Sequence, residues 1–475
     1  MTVDLRFSFY KNKPGIRYNS YIRVLNDFLE LNLHEPTERN SNLMKKIIVV
    51  GSGVLGASAA YHLSQSDAQV MLVDGRHPGR ATDAAAGIIC PWLSQRRNQS
   101  WYRLAKGGAR YYAELTEKLR SEGESDTGYA RVGALSLHTD PKKIEQMRER
   151  AEKRREDAPE IGEIEVLDEA QVRELFPLLN DGYMAVRVSG AARVDGRALR
   201  DAMISAAQRN GVSVIEGEAA LSVVKGRTTD MSAKGEPLPE HAADVTVKGE
   251  PLPEHAADVV SKGEPLPEHT VDVTAKGESI TEGRVTGVTV NGEYFPADEV
   301  VICAGAWANE LLRPLGLHFR VTFQKGQILH LQMPEQPGSG EWPVVIPPND
   351  QYLLAFDHGK MVAGATHEND VQLTDVRVTA GGMHEVLDKG LALAPGLADG
   401  ELQEVRVGFR PFTPGFLPVI GRVPGWEGLI TANGLGASGL TMGPFLGRQL
   451  SQLALGLEPD LPLDDYAVEK ALEPR

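Results

Sequence analysis

Three glycines, Gly51, Gly53 and Gly56, stand in the spacing GxGxxG directly after the apolar run 47–50. This spacing suits an anion. The first glycine permits a tight turn, the second lets a phosphate approach the backbone, and the third lets the following helix pack close to the strand. Val54 and Leu55 fall in the first turn of that helix, where N–H groups and dipole favour negative charge. Asp74 ends a second apolar run at 70–74, where a carboxylate can accept hydrogen bonds from ribose hydroxyls, and Gly75 follows it. Strand, glycines, helix, strand and acid in this order point to a bound dinucleotide. They leave nicotinamide and flavin dinucleotides both open.

Other side chains narrow the chemistry. Arg410, in GFRPFTP, offers a planar fork that matches a carboxylate with two hydrogen bonds. Tyr352, in DQYLLAF, offers a hydroxyl on a strand-like segment. The turn 434–439, continued by Leu440 and Thr441, opens a helix whose N–H groups suit a developing negative charge. The 2 cysteines, Cys90 and Cys303, are too few for a disulfide framework or a structural zinc site. Cys90 reads as a small buried residue and Cys303 as core. No histidine has both a motif and a partner, so no general base and no metal ligand is assigned.

A net charge of -15 disfavours nucleic acid and anionic membranes as partners. No apolar run reaches the roughly 18 residues of a membrane span, and the N-terminus does not resemble a signal peptide. With so few cysteines, the expectation is a cytoplasmic protein of unspecified oligomeric state.

Strand-like runs at 47–50, 70–74, 212–215, 285–290, 300–303 and 429–431 alternate with helical segments at 197–210 and 440–455, as in an α/β domain. Between them, 319–333, 352–356 and 360–366 are strand-rich and suggest an antiparallel sheet. The charge run 142–160 reads as an exposed helix. Residues 1–43 read as an extension outside the fold. A 14-residue repeat beginning KGEPLPEH starts at Lys234, Lys248 and Lys262 and reads as a disordered insertion at about 226–282. Its pairs Glu240–His241, Glu254–His255 and Glu268–His269 have no preformed metal geometry.

The segment GRATDAAAGIICPWLS, 79–94, resembles the loop after the second strand in the superfamily of D-amino-acid, glycine and sarcosine oxidases, most closely the glycine oxidase subgroup. VSGAARVDGRALRDAM, ADEVVICAGAW, FQKGQILHL, VGFRPFTPGFLPVIG and TANGLGASGLTMGP resemble further blocks of that family in the same order. The resemblance covers about residue 44 to the C-terminus, broken mainly by the repeat. It implies a Rossmann-type FAD-binding domain with a parallel sheet, interrupted by an α+β substrate domain with a mainly antiparallel sheet. The expected pieces are 44–130, 188–318 and 406–475 for FAD, and 131–187 and 319–405 for substrate. Implied FAD contacts are Gly51, Gly53, Val54, Leu55, Gly56, Asp74, Gly75, Ala81, Thr82, Ala86, Gly87, Ile88, Ala220, Ala304, Gly305, Trp307, Gly436, Ala437, Ser438, Gly439, Leu440 and Thr441.

The resemblance implies oxidation of the C–N bond of a small amino acid or secondary amine by hydride transfer to flavin N5, giving an imine that hydrolyses. It makes Arg410 the carboxylate anchor and Tyr352 a substrate donor. O2 or another acceptor would reoxidise the flavin. Two departures stand out. Ala437 replaces a bulky basic residue of glycine oxidases, which weakens the case for glycine. No lysine occupies the oxygen-activating position of sarcosine oxidases near 359–368, with Lys360 only at the strand edge. A dehydrogenase with a non-oxygen acceptor, an NAD(P)-linked enzyme or a non-catalytic flavoprotein remain alternatives.

Overall fold

A computed structural model describes residues 44–225, 282–334 and 336–473. The expectations for 1–43 and for the repeats, including their Glu–His pairs, lie outside the described residues.

The first layer is a six-stranded sheet in the order Val419–Arg422, Leu429–Asn433, Glu299–Ile302, Lys46–Val50, Gln69–Asp74, Ser213–Glu216. All neighbours are parallel except the Val419–Arg422 edge. Lys46–Val50 is central and almost continuously apolar, as a strand covered on both faces must be. The helix Val54–Leu63 packs on it, sandwiched with Gly196–Arg209 and Gly439–Leu455. Two glycines make that packing close. A Cβ on Gly56 would sit 1.8 Å from the Gly51 carbonyl oxygen, and one on Gly447 would sit 2.5 Å from Ser58 Cβ.

The second layer is an eight-stranded sheet in the order Glu401–Phe412, Thr322–Gln332, Lys360–Gly364, Tyr352–Ala355, Val344–Ile346, Ala134–His138, Met184–Val188, Ile164–Leu167. Every pair is antiparallel except Val344–Ile346 with Ala134–His138. Its longest ladder joins Thr322–Gln332 to Glu401–Phe412 and sets Gln324 opposite Arg410 and Gly326 opposite Gly408. This last strand runs across the expected boundary at 405/406, because the ladder continues unbroken there. Apolar residues of both sheets merge in one core: Val49, Leu72 and Ile430 pack in the same cluster as Ile328, Leu354 and Val362.

The helix Gln99–Ser121 is not among the expected elements, although Trp101, Leu104, Gly108, Tyr111, Leu115 and Leu119 recur at helical spacing. Its buried stripe is rich in aromatics, with Trp101, Tyr102, Tyr111 and Tyr112, and Asn98 caps it by accepting from Trp101 N–H. The charge run does form a helix, Pro141–Arg155, with Ile144, Met147 and Ala151 turned inward. It is not wholly a solvated face. Arg154 reaches back to three carbonyls of the 92–96 loop. No helix among the described residues is long and apolar enough to cross a membrane.

Candidate active site

One cavity runs between the two sheets, and the two helix N-termini open onto it. Val54–Leu63 starts after Gly53, and Gly439–Leu455 starts after Ser438; neither carries a side-chain cap. The leading N–H groups of a helix have no internal partner. Here one of them, Val54 N–H, donates to Thr82 Oγ1 at 2.9 Å. Leu55 and, at the second helix, Gly439, Leu440 and Thr441 also line this space, which suits an anion or a polarised carbonyl.

The backbone is drawn in tightly along this space. Gly51 has φ +101°, and a Cβ there would lie 2.5 Å from the Cys303 carbonyl oxygen. Gly87 has φ +92°, and a Cβ there would lie 1.8 Å from the Val194 carbonyl oxygen. Thr441 Oγ1 donates to the Ile88 carbonyl at 3.0 Å, which fixes the loop after the second strand to the C-terminal helix. Asn433 Nδ2 donates to the Gly305 carbonyl at 2.7 Å. These bonds join three sequence blocks, 79–94, 297–307 and 431–444, into a single wall.

Of the expected FAD contacts, Gly51, Gly53, Val54, Leu55, Asp74, Gly75, Ala81, Thr82, Ala86, Gly87, Ile88, Ala304, Gly305, Trp307, Gly436, Ala437, Ser438, Gly439, Leu440 and Thr441 line the cavity. Gly56 lies behind the wall as a packing glycine. Ala220 does not line the cavity: it is exposed, and its neighbour Ala219 is on the wall. Side chains alternate along a strand, so Ala219 and Leu221 turn to the core and Ala220 turns to solvent. Both oxygens of Asp74 are engaged. Oδ2 accepts from Ser52 Oγ at 2.5 Å and from Arg80 Nη1 at 2.6 Å, and Oδ1 accepts from the Arg76 N–H at 3.3 Å. Cys90 is half-buried on the wall rather than hidden in the core, and burial holds its thiol up at about 12.

The opposite end gathers Arg410, Tyr352, His367 and Asp350. Arg410 Nη1 donates to Gln324 Oε1 at 3.1 Å and to the Thr366 carbonyl at 3.3 Å. Both partners are neutral, and no described carboxylate pairs with this guanidinium. Burial raises the Tyr352 hydroxyl above its ordinary value, and Arg410 partly offsets this. The tyrosine therefore stays protonated at neutral pH and can donate. Burial first, then Arg410, lowers the His367 imidazole, while Asp350, 3.5 Å away, opposes the shift.

Sequence reasoning missed several of these groups. His367 and Asp350 meet only through the fold. His77 stacks on Trp307 at 4.9 Å and pairs with Glu218 at 3.3 Å, with Glu310 beside them. These three could ligate a cation, although none was expected to. Lys325 is fully buried, 3.5 Å from Glu368 and 3.6 Å from Asp375. It anchors the segment that carries His367. The signal was a lysine inside an apolar strand segment, FQKGQIL, which needs a counter-charge once buried.

FAD fits this wall. The glycine turn and the helix start at Val54 and Leu55 would hold a pyrophosphate, and the helix start at Gly439 supplies a second set of N–H donors on the same wall.

Comparisons with known proteins agree. The family model described as FAD dependent oxidoreductase matches residues 46–247 and 271–453. The uncharacterized oxidoreductase YurR of Bacillus subtilis is 53% identical over 90% of this chain and 100% of its own length. Glycine oxidase of Pseudomonas putida is 26% identical over 90% of this chain and 100% of its own. The crystal structure of iminodiacetate oxidase from Chelativorans sp. BNC1 superposes with TM-score 0.73 at 39% identity, covering 89% of this chain and 98% of that one. The α/β fold with its parallel and antiparallel sheets, the cofactor class and the enzyme class follow together: this chain belongs to the FAD dependent oxidoreductase family.

Proposed function

We propose that the protein oxidises the C–N bond of a small amino acid or secondary amine bearing a carboxylate. One observation carries this reading. Arg410 stands on the cavity wall with two neutral partners and no carboxylate of its own. A half-buried guanidinium without a counter-ion is a binding site for one.

Bound FAD supplies the two-electron acceptor, taking hydride from the carbon that bears nitrogen and leaving an imine that water hydrolyses. The chain does the positioning. Arg410 grips the carboxylate in a fork, and Gln324 and the Thr366 carbonyl fix the plane of that fork. Tyr352, still protonated, donates to the substrate from the neighbouring strand. His367, held neutral by burial and by Arg410, can accept a proton from the substrate ammonium, because only the free amine gives up hydride readily. The uncapped N–H groups at Gly439–Leu440 meet negative charge as it develops. We assign the described parts of 44–130, 188–318 and 413–475 to the cofactor, and 131–187 and 319–412, whose last strand carries Arg410, to the substrate. The similarity to glycine oxidase and iminodiacetate oxidase supports a small amino-acid or amine substrate. Two free cysteines suit a reducing, cytoplasmic setting.

A second reading concerns the acceptor. The described residues that line the cavity include no lysine, which favours an electron acceptor other than O2. Anaerobic mixing with a panel of D-amino acids, N-methyl amino acids and imino acids tests the first reading; an unbleached flavin across the panel rejects it. Admitting air afterwards tests the second, since slow reoxidation favours another acceptor.

A further inference from the structure

Arg410 is held by one nitrogen. Nη1 donates to Gln324 Oε1 at 3.1 Å and to the Thr366 carbonyl at 3.3 Å, while Nε and Nη2 have no hydrogen-bond partner among the described residues. The two acceptors therefore decide where the open edge of the guanidinium points. Both trace to one short segment. Thr366 supplies its own carbonyl, and Asn369 Oδ1 accepts from Gln324 Nε2 at 3.0 Å. An amide that donates to Asn369 turns its oxygen the other way, onto Arg410.

The same segment is fixed from behind by charge. Lys325 and Glu368 exchange backbone hydrogen bonds at 2.9 Å each, and the Thr366 N–H donates to the Gln327 carbonyl at 3.2 Å. Glu368 Oε1 accepts from Gln327 Nε2 and from Thr366 Oγ1, both at 2.7 Å. Lys325 Nζ stands 3.5 Å from Glu368 and 3.6 Å from Asp375, between two acids and without a regular hydrogen bond to either. Gln327 also ties down the far end, donating to Thr379 Oγ1 and accepting from the Thr379 N–H, both at 3.0 Å. Lys325 and Gln327 are 0% exposed, and a lysine that deep is tolerated only while its counter-charges face it. His367, between Thr366 and Glu368, lines the cavity; Lys325, Gln327, Glu368, Asn369 and Asp375 do not.

We propose that Lys325 and Asn369 are positioning residues for the substrate carboxylate. Lys325, gripping Glu368 and Asp375, holds the Thr366 carbonyl against Arg410. Asn369 turns the Gln324 amide onto the same nitrogen. The proposal rests on the reading of Arg410 as the carboxylate anchor. Neither residue touches substrate. Each acts through the plane of the guanidinium, because a tilted fork meets one carboxylate oxygen instead of two.

The test uses the full-length flavoprotein, with N-methylglycine as the oxidisable probe and propionate as an inert one. Asn369 is exposed, so Asn369→Ala is expected to fold as wild type does. It should raise KM for N-methylglycine by about 3- to 10-fold with kcat nearly unchanged, the effect of one lost neutral hydrogen bond. Lys325→Met leaves two acids facing each other and should raise KM by about 10- to 100-fold, as for a displaced hydrogen bond to a charged group. Should Lys325→Met fail to fold, Glu368→Gln keeps the side-chain shape, removes one of the two counter-charges, and should raise KM in the same direction.

The deciding measurement repeats these substitutions in Arg410→Lys. With the guanidinium gone, each should change kcat/KM by less than about 2-fold, because nothing remains to be aimed. Losses that recur in full in that background overturn the proposal, since they reflect a loosened fold. So does an unchanged KM in Asn369→Ala. If no amine reduces the flavin, the amine-oxidising reading falls alone. Propionate binding, read from flavin absorbance, then decides the positioning roles: weaker binding in Asn369→Ala than in wild type upholds them, and equal binding overturns them.

Discussion

Arg410 and Gln324 face each other across the ladder between Glu401–Phe412 and Thr322–Gln332, and the guanidinium donates to the amide oxygen at 3.1 Å. The register of a regular antiparallel pair therefore aims the substrate anchor. A fork held this way presents both of its remaining edges in a fixed plane, which a point-like ammonium does not reproduce. Arg410→Lys is expected to raise KM for carboxylate substrates by about 100-fold, from the loss of one charge-assisted bidentate contact. Flavin content, read from absorbance of the purified protein, should not change. An unchanged KM counts against Arg410 as the anchor.

Gly326 tests the same geometry from beneath. A Cβ at this position would lie 2.7 Å from Arg410 Nη2. The atom it meets is the end of a flexible side chain, so Gly326→Ala should fold normally and push the guanidinium out of plane. Steady-state kinetics should show about a 10-fold rise in KM, the effect of one misaligned charged hydrogen bond, while thermal unfolding stays near wild type.

Gly56 predicts the opposite pattern. Its Cβ would sit 1.8 Å from the Gly51 carbonyl oxygen, a backbone atom of the dinucleotide turn. Gly56→Ala must push helix and strand apart and should cost about 1–3 kcal/mol, as overpacking does. Denaturant unfolding measures that loss, and the purified variant should carry less flavin. Gly53→Ala is the control for folding stability alone, because its Cβ would meet only Thr82 Oγ1 at 3.3 Å within the protein, while it would still stand on the cavity wall where the phosphate approaches.

His62 links stability to pH. Its Nε2 lies 2.8 Å from the Tyr111 hydroxyl, and burial, aided by Lys118 and Arg448, depresses its pKa to about 3. Unfolded chains take up a proton on this imidazole below its ordinary 6.5, while the folded protein does not. Its contribution is complete above pH 6.5 and is lost as pH falls toward 3, at up to about 1.4 kcal/mol per pH unit. Urea unfolding between pH 5 and 7 should show a shallower decline for His62→Gln than for wild type. Parallel slopes would contradict the assignment.

How much of this could be read from residues alone depended on whether the signal was local. The glycine turn, the loop at 79–94 and the turn at 434–441 are contiguous, so spacing reveals them, and they reappear on one wall. Arg410 and Tyr352 sat in recognisable blocks. Ala220 was displaced by one residue, since strand parity depends on which face the sheet buries. His367 and Gln324 were illegible for another reason. Each matters through a partner distant in sequence: Asp350 beside His367, and Arg410 across the ladder from Gln324. The helix Gln99–Ser121 was also passed over, although it delivers Trp101.

The strands Ala219–Lys225 and Gly283–Val290 form an antiparallel pair in which Lys225 and Gly283 are register partners. Lys225 and Gly283 thus stand side by side in the ladder, while Ala219, at the other end of the strand, is the residue that lines the cavity wall. Six residues of strand, about 20 Å, separate the two ends. A change in length between Lys225 and Gly283 therefore enters the described structure at a single rung, six residues along the strand from the one that meets the cavity.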